Sequence, residues 1–136
     1  MAMLYLAGPI DYGGDNSKDR QAFVAAASVH AVVYDATGVF SAPSVDDMTA
    51  ADVAGAVRIH HAAIHEASLF VADMRHRSVG TPIEMWLAYS QDIPVYSLYD
   101  RSLPKSLYVE RCSETIVYSW QDMLSVVLTE LKDPYL

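Results

Sequence analysis

Short apolar runs alternate along this chain with longer segments in which apolar residues recur at helical spacing. Met3 to Ala7 is apolar throughout and predicts a first strand. A loop with three glycines follows, Gly8-Pro9-Ile10-Asp11-Tyr12-Gly13-Gly14, and then a helix from about Lys18 to His30, with Asp15, Asn16 and Ser17 as capping candidates. Val32-Val33-Tyr34 fits either a continuation of that helix or a strand. Val39 to Ala42, ended by Pro43, predicts the second strand. A second helix opens at Thr49 or Ala50 and reaches about Ser68.

The clearest pattern comes next. Leu69 to Ala72 is apolar at every position, as in a strand covered on both faces, and Asp73 closes it. Thr81-Pro82-Ile83-Glu84 then carries the signs of a helix start: Thr as N-cap, Pro at the first helical position and Glu three residues on. That helix runs to about Gln91. Ile93 to Leu98 predicts a fourth strand, residues 99–110 a loop or short helix, Thr115 to Tyr118 a fifth strand, and Trp120 to Leu131 an amphipathic helix. Strands alternating with helices predict a doubly wound, Rossmann- or flavodoxin-like α/β fold with a five-stranded parallel sheet, as a single domain over residues 1–136.

Composition narrows what such a domain does. At 136 residues and 52% hydrophobic it has enough material for a core. A formal charge of −8 argues against a nucleic-acid polymer as partner, because phosphate neutralisation needs clustered Lys and Arg. A small anion remains compatible, since backbone N–H groups can bind one locally. No apolar run reaches bilayer-spanning length, so no membrane partner is expected. The first residues lack the basic region of a signal peptide, and the lone Cys112 suits a reducing, cytoplasmic setting without disulfides.

In an open α/β sheet, ligands sit beyond the C-terminal ends of the strands, against helix N-termini. Asp73, Ser78, Gly80 and Glu84 fall there. Glu84 has two readings at this point, a capping-box residue or a functional carboxylate. The glycine loop is not G-x-G-x-x-G and no Walker lysine follows, so neither a dinucleotide nor a P-loop is indicated. His60, His61 and His65 share a helix without the H-E-x-x-H pattern of a zinc site, so no metal and no cofactor is expected.

Three separated segments together resemble the nucleoside 2-deoxyribosyltransferase superfamily: Tyr5-Leu-Ala-Gly-Pro9, Ile64-His-Glu-Ala-Ser-Leu-Phe-Val-Ala-Asp73 and Ser78-Val-Gly-Thr-Pro-Ile-Glu-Met-Trp-Leu-Ala88. The resemblance implies that Glu84 attacks C1′ of a nucleoside sugar and forms a glycosyl-enzyme ester. Six residues before this glutamate, the transferases of the superfamily carry Asp and the hydrolases of nucleoside 5′-monophosphates carry Ser; here it is Ser78. A second such position, in the loop after the fourth strand, aligns with Ser106, and that loop normally reaches a neighbouring subunit's site, which implies a homodimer or higher homo-oligomer. The resemblance thus favours an N-glycosidase of the monophosphate branch, with a base-exchanging deoxyribosyltransferase and a non-catalytic nucleotide-binding module as alternatives. Tyr5, Gly8, Ile10, Gly13, Ser78, Gly80 and Ser106 become expected substrate contacts.

Two departures stand out. The hydrolases often carry an Arg before the paired glycines, where this chain has Asp11-Tyr12, leaving Lys105 and Arg101 as candidate cations. Four residues before Ile64, where the superfamily has an Asp that assists the leaving base, this chain has His60. It is either a replacement acid, possible for a group titrating near pH 6.5, or a packing residue, with Asp73 as a supporting carboxylate.

Overall fold

The two faces of the sheet are written into the alternation of its strands. In the computed structural model, which describes residues 2–8, 15–36, 46, 48–76 and 78–132, five parallel strands form one sheet. They are β1 (Met3–Ala7), β2 (Val32–Asp35), β3 (Leu69–Asp73), β4 (Val95–Leu98) and β5 (Thr115–Val117), in the order β2-β1-β3-β4-β5. Leu4, Leu6, Leu69, Val71 and Leu98 point to one face and pack with Phe23, Trp120, Met123 and Val127, from α1 (Asp15–Ala27) and α5 (Trp120–Leu131). Tyr5, Ala7, Phe70, Ala72 and Val95 point to the other and pack with Ile64, Met85 and Cys112. These come from α2 (Ala50–Glu66), α3 (Gly80–Ser90) and α4 (Leu107–Cys112). Helices on both faces bury the sheet, which is why β3 is apolar on every core residue.

The second strand differs from expectation. The edge position is taken by Val32–Asp35, and the segment 39–42 lies outside the described residues. An edge strand is covered less completely, and Val32 is 55% exposed, so its apolar signal is weak. Helix α1 begins and ends three residues earlier than expected. Helix α2 does start from Thr49, in a reciprocal box with Asp52: each backbone N–H donates to the other's side chain at 3.1 Å.

The start of α3 is a correction with consequences. Thr81 is not its N-cap; the helix begins at Gly80, with Val79 in the cap position and no side-chain cap bond from it. Ser78 does the work of a cap, its Oγ accepting from Thr81 N–H at 3.3 Å and from the Thr81 hydroxyl at 3.1 Å. Pro82, in the first turn, removes a donor that the helix could not have satisfied internally. Glu84 is thereby released from the capping box.

Candidate active site

The strand order reverses direction between β1 and β3, and the crevice at their C-terminal ends is where a doubly wound sheet takes its ligand. Parallel register builds one wall of it. Tyr5 pairs laterally with Tyr34 on β2 and with Phe70 on β3, so three aromatic rings stand side by side on the α2/α3 face. The Tyr5 ring stacks on Tyr34 at 5.1 Å and 17°, and on Phe70 at 5.2 Å and 6°.

This ladder fixes the Tyr5 hydroxyl, which donates to Glu84 Oε2. The other oxygen turns back over the helix start: a side chain at residue 80 would come within 3.7 Å of Oε1. Burial raises the Glu84 carboxyl above its usual value, opposed by the Tyr5 hydrogen bond and by the charge of His61. Tyr5 is itself pushed well up, first by burial and then by Glu84, so the shared proton stays on the phenol.

His60 projects from α2 to the same wall. Its Nδ1 lies 2.9 Å from the Tyr34 hydroxyl, and its ring meets Tyr5 and Tyr34 edge-on, at 6.4 and 5.8 Å. Burial and the neighbouring His61 lower its pKa below the ordinary histidine value. Tyr5 therefore joins the two halves of the expected pair, Glu84 by its hydroxyl and His60 by its ring.

Asp73 is not part of this group. Strand alternation sends it to the α1/α5 face with Leu69 and Val71. There Arg75 binds both its oxygens, Nε to Oδ1 and Nη2 to Oδ2, each at 2.9 Å, and the Arg75 backbone N–H donates to Oδ1 as well. The guanidinium also lies 5.7 Å from the Trp120 ring. A carboxylate engaged in this way does not orient His60. Gly8, on the same side, is needed for space: a Cβ there would stand 2.6 Å from Arg20 Nη1 and 3.1 Å from Asp73 Cβ. Arg20 is buried against it and pairs with Asp35 at 2.8 Å.

The remaining expected contacts divide. Ser78 and Gly80 lie at the start of α3 beside Glu84; Ile10 and Gly13 fall outside the described residues. Ser106 is the N-cap of α4, accepting from Val109 N–H at 3.4 Å, and α4 packs on α3 through the Trp86 and Tyr108 rings at 6.2 Å. Arg101 stacks on Tyr118 at 3.8 Å. Tyr34, Arg20 and Arg75 went unread in the sequence. Arg75 had a local signal, being two residues beyond Asp73; Tyr34 needed the strand at 32–35 to be assigned first. Among the described residues no group of three or more His, Cys, Asp or Glu side chains is placed to hold a metal ion, and no helix is long and apolar enough to cross a membrane.

No protein-family model and no curated protein matches the chain. Solved structures do. A 2-deoxyribosyltransferase from Bacillus psychrosaccharolyticus superposes with a TM-score of 0.77 at 16% identity, covering 96% of each chain. The Clostridium botulinum CMP N-glycosidase BcmB gives 0.63 at 14% identity, covering 92% of this chain and 97% of its own. A molybdenum cofactor binding protein from Rippkaea orientalis gives 0.62 at 14% identity, over 96% and 98%. At such identities the likeness is one of fold, and this fold serves more than one chemistry.

Proposed function

We propose that this chain is an N-glycosidase that cleaves a nucleoside 5′-monophosphate, with Glu84 as nucleophile. The observation that carries the reading is the state of Glu84: a half-buried carboxylate, outside any capping box, one turn into α3 beside the sheet's switch point, and held by a tyrosine hydroxyl rather than a cation. Attack on C1′ forms an ester as the base departs with a proton from His60. Water then hydrolyses the ester, releasing (deoxy)ribose 5-phosphate, with His60 taking the proton back. Ser78 supports the monophosphate: its oxygen accepts from Thr81, and its own O–H proton is available to a phosphate oxygen, where an aspartate would repel the dianion. Asp73, held by Arg75, contributes to the shape of the crevice rather than to proton transfer.

The second reading is a deoxyribosyltransferase, in which an acceptor base replaces water; it is favoured by the higher TM-score to the Bacillus enzyme. One panel separates the readings: nucleotides, nucleosides, and nucleosides with an acceptor base, each incubated with wild type and Glu84→Gln and resolved by chromatography. The glycosidase reading expects base release from nucleotides by wild type and a loss of about a thousandfold or more in Glu84→Gln. Turnover of nucleosides alone would remove it. Base release untouched by Glu84→Gln would remove the nucleophile, and nucleotide binding without any turnover would leave a binding module.

A homodimer belongs to this reading. Leu107 (86% exposed), Tyr108 (61%) and Trp86 (49%) form an apolar surface where α4 meets α3, next to Ser106. A second copy covering it would bring Ser106 towards the neighbouring site. Sedimentation of wild type at the dimer mass, and of Trp86→Glu at the monomer mass, is the expected outcome; a monomeric wild type removes the shared site.

A further inference from the structure

One nitrogen of His60 is tied to the sheet. Nδ1 faces the Tyr34 hydroxyl at 2.9 Å, while the Tyr34 and Tyr5 rings meet the imidazole nearly at right angles, 89° and 83°. Tyr34 is itself set by strand register and by stacking on Tyr5. The titratable groups facing His60 include Tyr34 from β2, Tyr5 from β1 with Glu84 of α3 bound to it, and His61 on its own helix.

We propose that Tyr34 is the positioning residue for proton transfer: its hydroxyl engages His60 Nδ1 and makes Nε2 the nitrogen that exchanges protons with substrate. The proposal rests on the glycosidase reading. A phenol suits the task because it both donates and accepts. It accepts from Nδ1–H when the ring is imidazolium and can keep that bond when the ring is neutral, so the orientation survives the whole cycle. A carboxylate in its place would hold the ring in the charged form.

The steps balance on these atoms. As a Glu84 oxygen bonds to C1′, the C1′–N pair of electrons goes to the base nitrogen, which takes the Nε2 proton and leaves as a neutral base. His60 is then a neutral imidazole with its lone pair on Nε2 and Nδ1–H towards Tyr34. Water attacks C1′ and gives its proton to Nε2, and the electrons of the ester bond return to the Glu84 carboxylate.

Tyr34→Phe keeps the stacking ring and removes the hydroxyl. The test compares an ordinary purine nucleotide with its N7-methylated form, whose cationic base leaves without needing a proton. On the ordinary substrate, kcat is expected to fall by about tenfold to a hundredfold with little change in KM, the scale of a misplaced general acid. On the methylated substrate the loss should shrink to a few-fold. Equal losses on both, or none on the ordinary one, overturn the proposal while leaving the glycosidase reading in place. A wild type that releases no base from any nucleotide, purine or pyrimidine, overturns both. Should Tyr34→Phe fail to fold, nitrogen-15 spectra of wild-type His60 read the bond directly, and an Nδ1 resonance typical of an unbonded imidazole overturns it.

Discussion

Asp73, at the end of β3, has both carboxylate oxygens bound by Arg75, whereas Glu84, one turn into α3, has one oxygen bound by the Tyr5 hydroxyl and no Lys or Arg paired with it among the described residues. Both lie near the same edge of the sheet, on opposite faces. Asp73 is 1% exposed and is neutralised where it sits, as a buried charge must be to persist cheaply. Glu84 is half-buried with a phenol in place of a cation, and desolvation raises its carboxyl while the phenol's hydrogen bond opposes the rise. Perturbed groups of that kind gather at functional sites, while ion-paired ones hold structure. The difference supports the proposed role of Glu84 as the reacting carboxylate and sets Asp73 apart as an ion-paired one.

Substitution should pull those roles apart. Glu84→Gln is expected to cost about a thousandfold or more in turnover, yet to leave the melting temperature at neutral pH equal or higher. A carboxyl raised in the folded state stabilises the fold fully below its unfolded value of 4.5, and that stabilisation is lost as pH rises through the folded value. At neutral pH the ionised Glu84 thus works against the fold, and Gln removes the charge while keeping an oxygen for Tyr5. Asp73→Asn is the opposite case. It removes the charge that Arg75 pairs with through two side-chain bonds, at a cost of about 3 kcal/mol. Calorimetry on both variants checks the pair; a larger fall in melting temperature for Glu84→Gln than for Asp73→Asn would undo the comparison.

What could be read beforehand follows the same division. Strand β3 and helix α5 were legible because burial on two faces, or on one helical stripe, forces a local pattern. Glu84 was legible through its motif, although the motif also invited a capping box that Ser78 in fact replaces. Strand β2 was left open between helix and strand in the reading, because an edge strand exposes Val32 and so carries a weak apolar signal. With β2 unassigned, Tyr34 could not be set beside Tyr5. Its partnership with His60 comes from lateral register between strands and from α2 crossing the sheet, neither of which leaves a periodic trace. Asp73 was placed near the site by its strand-end position and by the resemblance of the segment it closes; the alternation that turns it to the α1/α5 face was present in Leu69 and Val71.

The finest test of the comparison lies in the one hydrogen bond that distinguishes Glu84 from a carboxyl in a purely apolar pocket. In the proposed mechanism turnover needs Glu84 ionised and His60 protonated, so the pH profile should be a bell on the acidic side of neutrality. Glu84 moves up from 4.5 and His60 down from 6.5, which brings the two limbs together and makes the bell narrow. Tyr5→Phe keeps the aromatic ladder but removes the donor that lowers the Glu84 carboxyl. The acid limb should then move to higher pH while the alkaline limb, set by His60, stays where it was. Peak turnover falls because fewer molecules hold both groups in the working state. A pH–rate series on wild type and Tyr5→Phe measures this directly. An acid limb that stays put, or moves to lower pH, would mean that the Tyr5 hydroxyl does not hold the ionised carboxylate, and that Glu84 is no more poised than Asp73.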